Sequence, residues 1–112
     1  MLHKGQQTYV WTHHSHDKMR YYRLSEARVK RIIRHPTRIE EGIAESAIAC
    51  MQPNAPLLRA DEKKYSEIWV MYTVKDKQIV VITAWRYPGK SPERDPVPQN
   101  VLSEVRNIIA GI

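Results

Sequence analysis

The sequence predicts an α+β fold in which an N-terminal helix pair packs on a small antiparallel β-meander sheet and a C-terminal helix closes the chain. Three observations predict it. Apolar residues recur at helical spacing at Ala27, Val29, Ile32 and Ile33, and again at Val101, Leu102, Val105, Ile108, Ile109 and Ile112. Two runs rich in β-branched and aromatic residues, Ser66 to Val74 and Gln78 to Trp85, flank the polar turn Lys75-Asp76-Lys77. A chain of 112 residues reads as one domain, 1–112, and at this length about 65% of the unfolded surface is buried on folding.

Taken in order, Tyr9, Val10 and Trp11 read as a short strand, and Thr12 is placed to cap a helix over about His13 to Tyr22 by accepting from a backbone N–H of its first turn. Ser25 is a second N-cap. The helix it opens carries Arg28, Lys30, Arg31 and Arg34 opposite its apolar side and ends at His35, which Pro36 bars from helical geometry. Arg38 to Ile43 and Ser46 to Met51 read as strands separated by an irregularity containing Gly42, and Pro53 to Lys64 as a loop. Alternation along the last strand puts Ile79, Val81, Thr83 and Trp85 on one face and Val80, Ile82 and Ala84 on the other. Arg86 to Pro98, with four of the seven prolines, reads as a stiff loop leading into the terminal helix. One sheet face is then covered by helices, the terminal helix covers the sheet or a partner, and the other face, if left open, becomes a concave platform.

Composition narrows the function. The single cysteine, Cys50, excludes an internal disulfide and reads as a small buried hydrophobe, and no apolar stretch is long enough to span a membrane, so a soluble cytoplasmic protein is expected. The net charge of +6 favours polyanionic partners. Between Lys18 and Arg38 eight Lys or Arg residues face a single acid, Glu26, so the excess positive charge is concentrated as nucleic-acid binding requires. No Gly-rich phosphate loop, nucleophile elbow or zinc-finger spacing occurs. His13, His14 and His16 stand one and two apart on a helix and do not converge on a metal, so no metal and no cofactor is expected. A single imidazole beside a basic surface can still exchange protons near neutrality. Trp11, Tyr21, Tyr22, Tyr65 and Tyr87 are candidates for stacking on unpaired bases, with core packing as the alternative for each, and Tyr72 is the clearest core tyrosine. Arg23, Arg38 and Arg86, at element boundaries, are placed to grip phosphate.

The run His14-Ser15-His16-Asp17-Lys18-Met19-Arg20-Tyr21-Tyr22-Arg23-Leu24-Ser25 resembles the opening motif of the small bacterial family catalogued as domain of unknown function 4258. That motif has a histidine, a small residue, a basic-Met pair, an arginine, and an aliphatic-Ser step into the second helix. Val80-Val81-Ile82-Thr83-Ala84-Trp85 resembles its closing strand, which ends in Ile-Thr and an aromatic. The resemblance covers about residues 10 to 87. It implies the RelE-like fold shared with barnase, EndoU and colicin nucleases, and a metal-independent endoribonuclease of toxin type. His14, Lys18, Met19, Ser25 and Thr83 match motif positions, whereas Tyr22 stands where the arginine is expected and Arg23 follows one place later, about 100° around a helix.

The expected mechanism has His14 withdraw the ribose 2′-hydroxyl proton, Arg23 and Arg86 stabilise the phosphoryl oxygens, and Thr83 position the scissile phosphate. Lys18, Arg20, Tyr21, Arg38 and Tyr65 are expected to hold the RNA. Two alternatives use the same features. One is a non-catalytic RNA-binding or ribosome-associated module; the other is a protein-interaction subunit whose terminal helix makes a homodimer. Expected partners are RNA, the ribosome and an acidic antitoxin, with no membrane.

Overall fold

The computed structural model describes residues 7–41, 46–54 and 65–111. Its elements follow as β1 (Tyr9–Trp11), α1 (His13–Tyr22), α2 (Glu26–Arg34), β2 (Arg38–Glu41), β3 (Ala47–Pro53), β4 (Ser66–Lys75), β5 (Gln78–Pro88) and α3 (Gln99–Ala110). The strands make one sheet in the order β1-β5-β4-β3-β2; β2 to β5 pair antiparallel, and β1 joins the edge parallel to β5. The fold class is the α+β arrangement that the periodicities predict.

Thr12 makes the passage from edge strand to helix. Its Oγ1 accepts from the Ser15 N–H at 3.0 Å and lies 3.1 and 3.0 Å from the Val81 and Ile82 carbonyls, so the cap that starts α1 also ties it to β5. Ser25 caps α2 by accepting from the Arg28 N–H at 3.0 Å. Between the helices Arg23 takes φ 58°, the left-handed cap usually given to glycine, and the Leu24 N–H closes on the Met19 carbonyl at 2.7 Å. At the hairpin, Asp76 and Lys77 both have positive φ, 51° and 64°, the backbone twist that a two-residue connection between antiparallel strands needs.

Several boundaries differ from the sequence reading. β3 runs on to Pro53, which pairs with Glu67, and β5 runs on to Pro88, so Arg86 is a strand residue and not the start of a loop. Cross-strand pairing with β4 carries both extensions. β2 ends at Glu41; positions 42–45 of the expected strand and irregularity, and 55–64 of the expected loop, lie outside the described residues.

The largest departure is in which side each β5 residue faces. Met71 pairs with Thr83 and Tyr72 with Val81, leaving Ile82 without a partner on β4. This one-residue bulge reverses the alternation. Ile79, Val81 and Ala84 pack with Met19, Val29, Ile32, Cys50, Ile68 and Val70 in the core beneath α1 and α2. Ile82 and Trp85 pack with Trp69, Met71, Val101 and Val105 in a second core beneath α3. Both faces are therefore covered: of the two roles open to the terminal helix, α3 takes that of covering its own sheet, and no open platform is left on that face. The apolar stripe of α3 is spent on the chain's own sheet, with Val101 and Val105 buried and Leu102, Ile108 and Ile109 packed around them.

The segment after β5 is held by a buried polar cluster. Glu67, 3% exposed, accepts from Trp69 Nε1 at 3.0 Å, from the Ser91 N–H at 3.2 Å and from the Ser91 hydroxyl. Arg38 donates to Glu40 at 2.7 Å, to Ser91 Oγ at 3.1 Å and to the Pro92 and Glu93 carbonyls at 2.8 and 3.0 Å, and its guanidinium lies 5.5 Å from the centre of the Trp69 ring. Arg38→Ala is expected to lower stability by about 2 kcal/mol, a fall in Tm on the order of 8 °C, because charge-assisted bonds are lost and acceptors are left unpaired. Thermal unfolding followed by circular dichroism checks it; an unchanged Tm would remove the clamp from the account.

Candidate nucleic-acid interface

The three imidazoles of α1 point to different neighbours. His13 is exposed. His16 stacks on Trp11 with centroids 5.8 Å apart and approaches Glu26 Oε2 at 3.3 Å, on the α2 side. His14 faces the other way, its Nε2 3.2 Å from Glu104 Oε2 of α3. That nitrogen is shielded from solvent and has no hydrogen-bond partner among the described residues. Lys18, one turn further along the same stripe, approaches the same carboxylate at 3.9 Å.

A second group of charges gathers beneath the turn between α1 and α2. Arg86, opposite Ile68 on β5, projects to the α2 side because the bulge has reversed the alternation. Its Nη2 lies 3.5 Å from the Tyr22 carbonyl at the end of α1. From α2, Arg28 lies near Arg86, and Arg31 stands one turn further along the helix. Partial burial holds the Arg28 guanidinium below its ordinary pKa, and the like charges of Arg31 and Arg86 push the same way. Arg28 Nε is buried without a hydrogen-bond partner. Among the described residues, none of Arg23, Arg28, Arg31 and Arg86 is in an ion pair. Unneutralised guanidinium groups held close together raise the energy of the free protein, and an anion reaching all of them removes that repulsion.

The other expected site residues fall into distinct places. Thr83, 2% exposed, stands opposite Met71 in the core beneath α3, on the opposite sheet face from Arg86; it is out of reach of a phosphate, so its positioning role is withdrawn. Arg38 has its donors committed to its own chain and is a structural clamp, not an RNA contact. Tyr65 is half-buried, its hydroxyl pKa raised by burial and by Glu67, with Lys90 6.0 Å over its ring, so that ring is already packed. Tyr72 packs against the core beneath α1 and α2 but remains partly exposed. Arg20 reaches only Asp17, at 3.8 Å and in the open, an interaction of little weight. Tyr21 is 77% exposed, its ring edge-on to Tyr22 at 4.8 Å. Arg23 is exposed at the left-handed cap. The structure thus brings His14 and Lys18 together beside Glu104, sets Arg86 and Arg31 each near Arg28, and separates both groups from Thr83.

Sequence reading missed Glu104, and it left Arg28 and Arg31 open between a solvated helix face and a binding surface. Their separation of three residues on a capped helix was the available signal; their convergence with Arg86 depends on the bulge. Elsewhere the surface is of opposite sign, since Glu40, Glu41 and Asp95 line a cleft of about 320 Å³ beside the start of α3, where a polyanion is repelled. The burial that shields Cys50 pushes its thiol up to about 12, which keeps it protonated and unreactive. No helix among the described residues is long and apolar enough to cross a membrane.

Fold and surface together define a small α+β domain with helices on both faces of a mixed five-stranded sheet and, on one side, an arginine cluster that forms no ion pair among the described residues. Compared with known proteins, the chain matches no family model, no curated protein and no solved structure.

Proposed function

We propose that the protein binds RNA, with Arg28, Arg31 and Arg86 gripping the phosphate backbone and Arg23 at its margin. The observation that carries this reading is the cluster itself: guanidinium groups close enough for Arg31 and Arg86 to act on Arg28, whose Nε is buried and unpaired, and no carboxylate in an ion pair with them among the described residues. A cluster kept only for stability would be paired; an unpaired one is complementary to a chain of phosphates. The test is fluorescence anisotropy with a labelled RNA across a salt series. Affinity that falls steeply with salt and is weakened by Arg28→Gln supports the reading, and salt-independent or absent binding overturns it.

A second reading, the metal-independent endoribonuclease of toxin type, is favoured by the His14 and Glu104 pair beside Lys18 and by the resemblance of the α1 motif. In that reading His14, as the neutral imidazole, takes the 2′-hydroxyl proton, the 2′-oxygen attacks the adjacent phosphorus to close the 2′,3′-cyclic phosphate, and the 5′-oxygen leaves with the proton returned by the imidazolium. Lys18 offsets charge on the phosphoryl oxygens, and general acid–base help of this kind contributes about 10²–10⁴-fold. Incubation of RNA with the protein and a chelator is expected to yield cyclic-phosphate ends, and His14→Ala to abolish them. Full cleavage by His14→Ala, or none without added metal, would reject this chemistry and leave binding alone. An acidic antitoxin would be drawn to the same cationic surface, and a ribosome-associated role would use it on ribosomal RNA.

A further inference from the structure

We infer that the RNA this protein takes is single-stranded, with one unpaired base stacked on Tyr21; the inference rests on the RNA-binding reading above. Among the described residues Tyr21 is the most exposed of the large apolar and aromatic side chains, at 77%. Its ring does not wave free. Tyr22 abuts it edge-on at 4.8 Å and an interplanar angle of 89°, and Tyr22 itself packs into the core beneath α3. A helix fastened to β5 through Thr12 therefore presents to solvent an aromatic ring that abuts the packed Tyr22.

The surroundings of that ring match a nucleotide. His14, Lys18 and Tyr21 follow at i, i+4 and i+7, one stripe of α1, so the ring shares its side of the helix with a cation and an imidazole. Tyr22, next in sequence, offers the carbonyl that Arg86 approaches, and Arg23 is exposed one residue further on. A strand crossing the end of α1 can place a base on Tyr21 while its phosphates meet Lys18 on one side and the arginine cluster on the other. A duplex cannot use this ring, because its base faces are consumed by their own stacking; only an unpaired base has a face to offer.

The experiment measures anisotropy with an unstructured labelled 12-nucleotide RNA and with the same strand annealed to its complement, using wild type, Tyr21→Ala, Tyr21→Trp and Arg28→Gln. The expected result is tighter binding of the single strand, a loss of roughly tenfold in single-strand affinity for Tyr21→Ala with duplex affinity unchanged, and retention in Tyr21→Trp. Arg28→Gln weakens both forms. Equal affinity for single strand and duplex, or a single-strand affinity indifferent to Tyr21→Ala, overturns this inference while RNA binding stands. Absence of binding to either form overturns both. Unfolding curves of Tyr21→Ala that overlay the wild type show that any loss arises at the ring, as its exposure leads one to expect.

Discussion

Replacing Arg86 with glutamate is expected to reduce RNA affinity by on the order of 10- to 100-fold at low salt, since it removes one phosphate contact and adds a repelling charge among those that remain. The milder Arg86→Gln should shrink the salt dependence as well as the affinity. If three guanidinium groups each neutralise one phosphate, the log–log slope is about −2 for a single strand, and it falls to roughly −1.4 when one is removed. Folding stability is expected to hold or rise slightly in the glutamine variant, because Arg86 is one of the two like charges acting on Arg28. Loss of affinity without loss of stability marks a binding site. A side chain kept for the fold would lose both together, so anisotropy and thermal unfolding measured on the same variant separate the two roles. Unchanged affinity and slope in both variants would remove Arg86 from the interface.

The largest effect on the fold is expected at Trp69. It is fully buried and stacks on Trp85 with centroids 5.7 Å apart and planes within 5°. Its indole N–H binds Glu67, and Arg38 lies over its ring. Trp69→Ala is expected to cost about 3–5 kcal/mol from lost transfer energy and the cavity left behind, a large part of the roughly 5–15 kcal/mol that stabilises a domain. Trp69→Phe refills most of the space but leaves Glu67 short of a donor, so a smaller loss of about 1–3 kcal/mol is expected. Chemical denaturation of the two variants checks both the size and the order of these effects; an alanine variant within 1 kcal/mol of wild type, on the order of a surface change, would contradict the packing described.

Much of the fold is legible in the sequence because local signals and tertiary structure agree there. Thr12 and Ser25 each precede a helix whose buried positions follow its period, and each accepts from the N–H three residues on. The hairpin is equally plain, with long β-branched runs on either side of a polar turn. Proline was a weaker guide. Pro53 and Pro88 are end residues of β3 and β5 rather than loop residues, because pairing with β4 offsets the missing donor at a strand terminus.

The candidate interface was legible only in part. The charge run marks the segment of chain that holds Arg28 and Arg31, and Tyr21 is among the aromatics read as stacking candidates. The sequence reading nevertheless grouped His14, Arg23, Thr83 and Arg86, whereas the folded chain buries Thr83 beneath α3 and turns Arg86 toward Arg28 and Arg31. Arg38 misled for a related reason: a guanidinium at an element boundary serves a phosphate or a backbone carbonyl equally well, and only the path of the 91–93 segment shows that it serves carbonyls.

By itself the sequence determined the class of fold, the start of each helix and the concentration of positive charge, because caps, periodicity and charge are properties of neighbouring residues. Tertiary structure decided which of those charges meet and which side chains are sealed away. The bulge at Ile82 is the physical reason. One unpaired residue, invisible in an apolar run, reverses every side chain beyond it and so places Arg86 among the arginines of α2 instead of under the terminal helix.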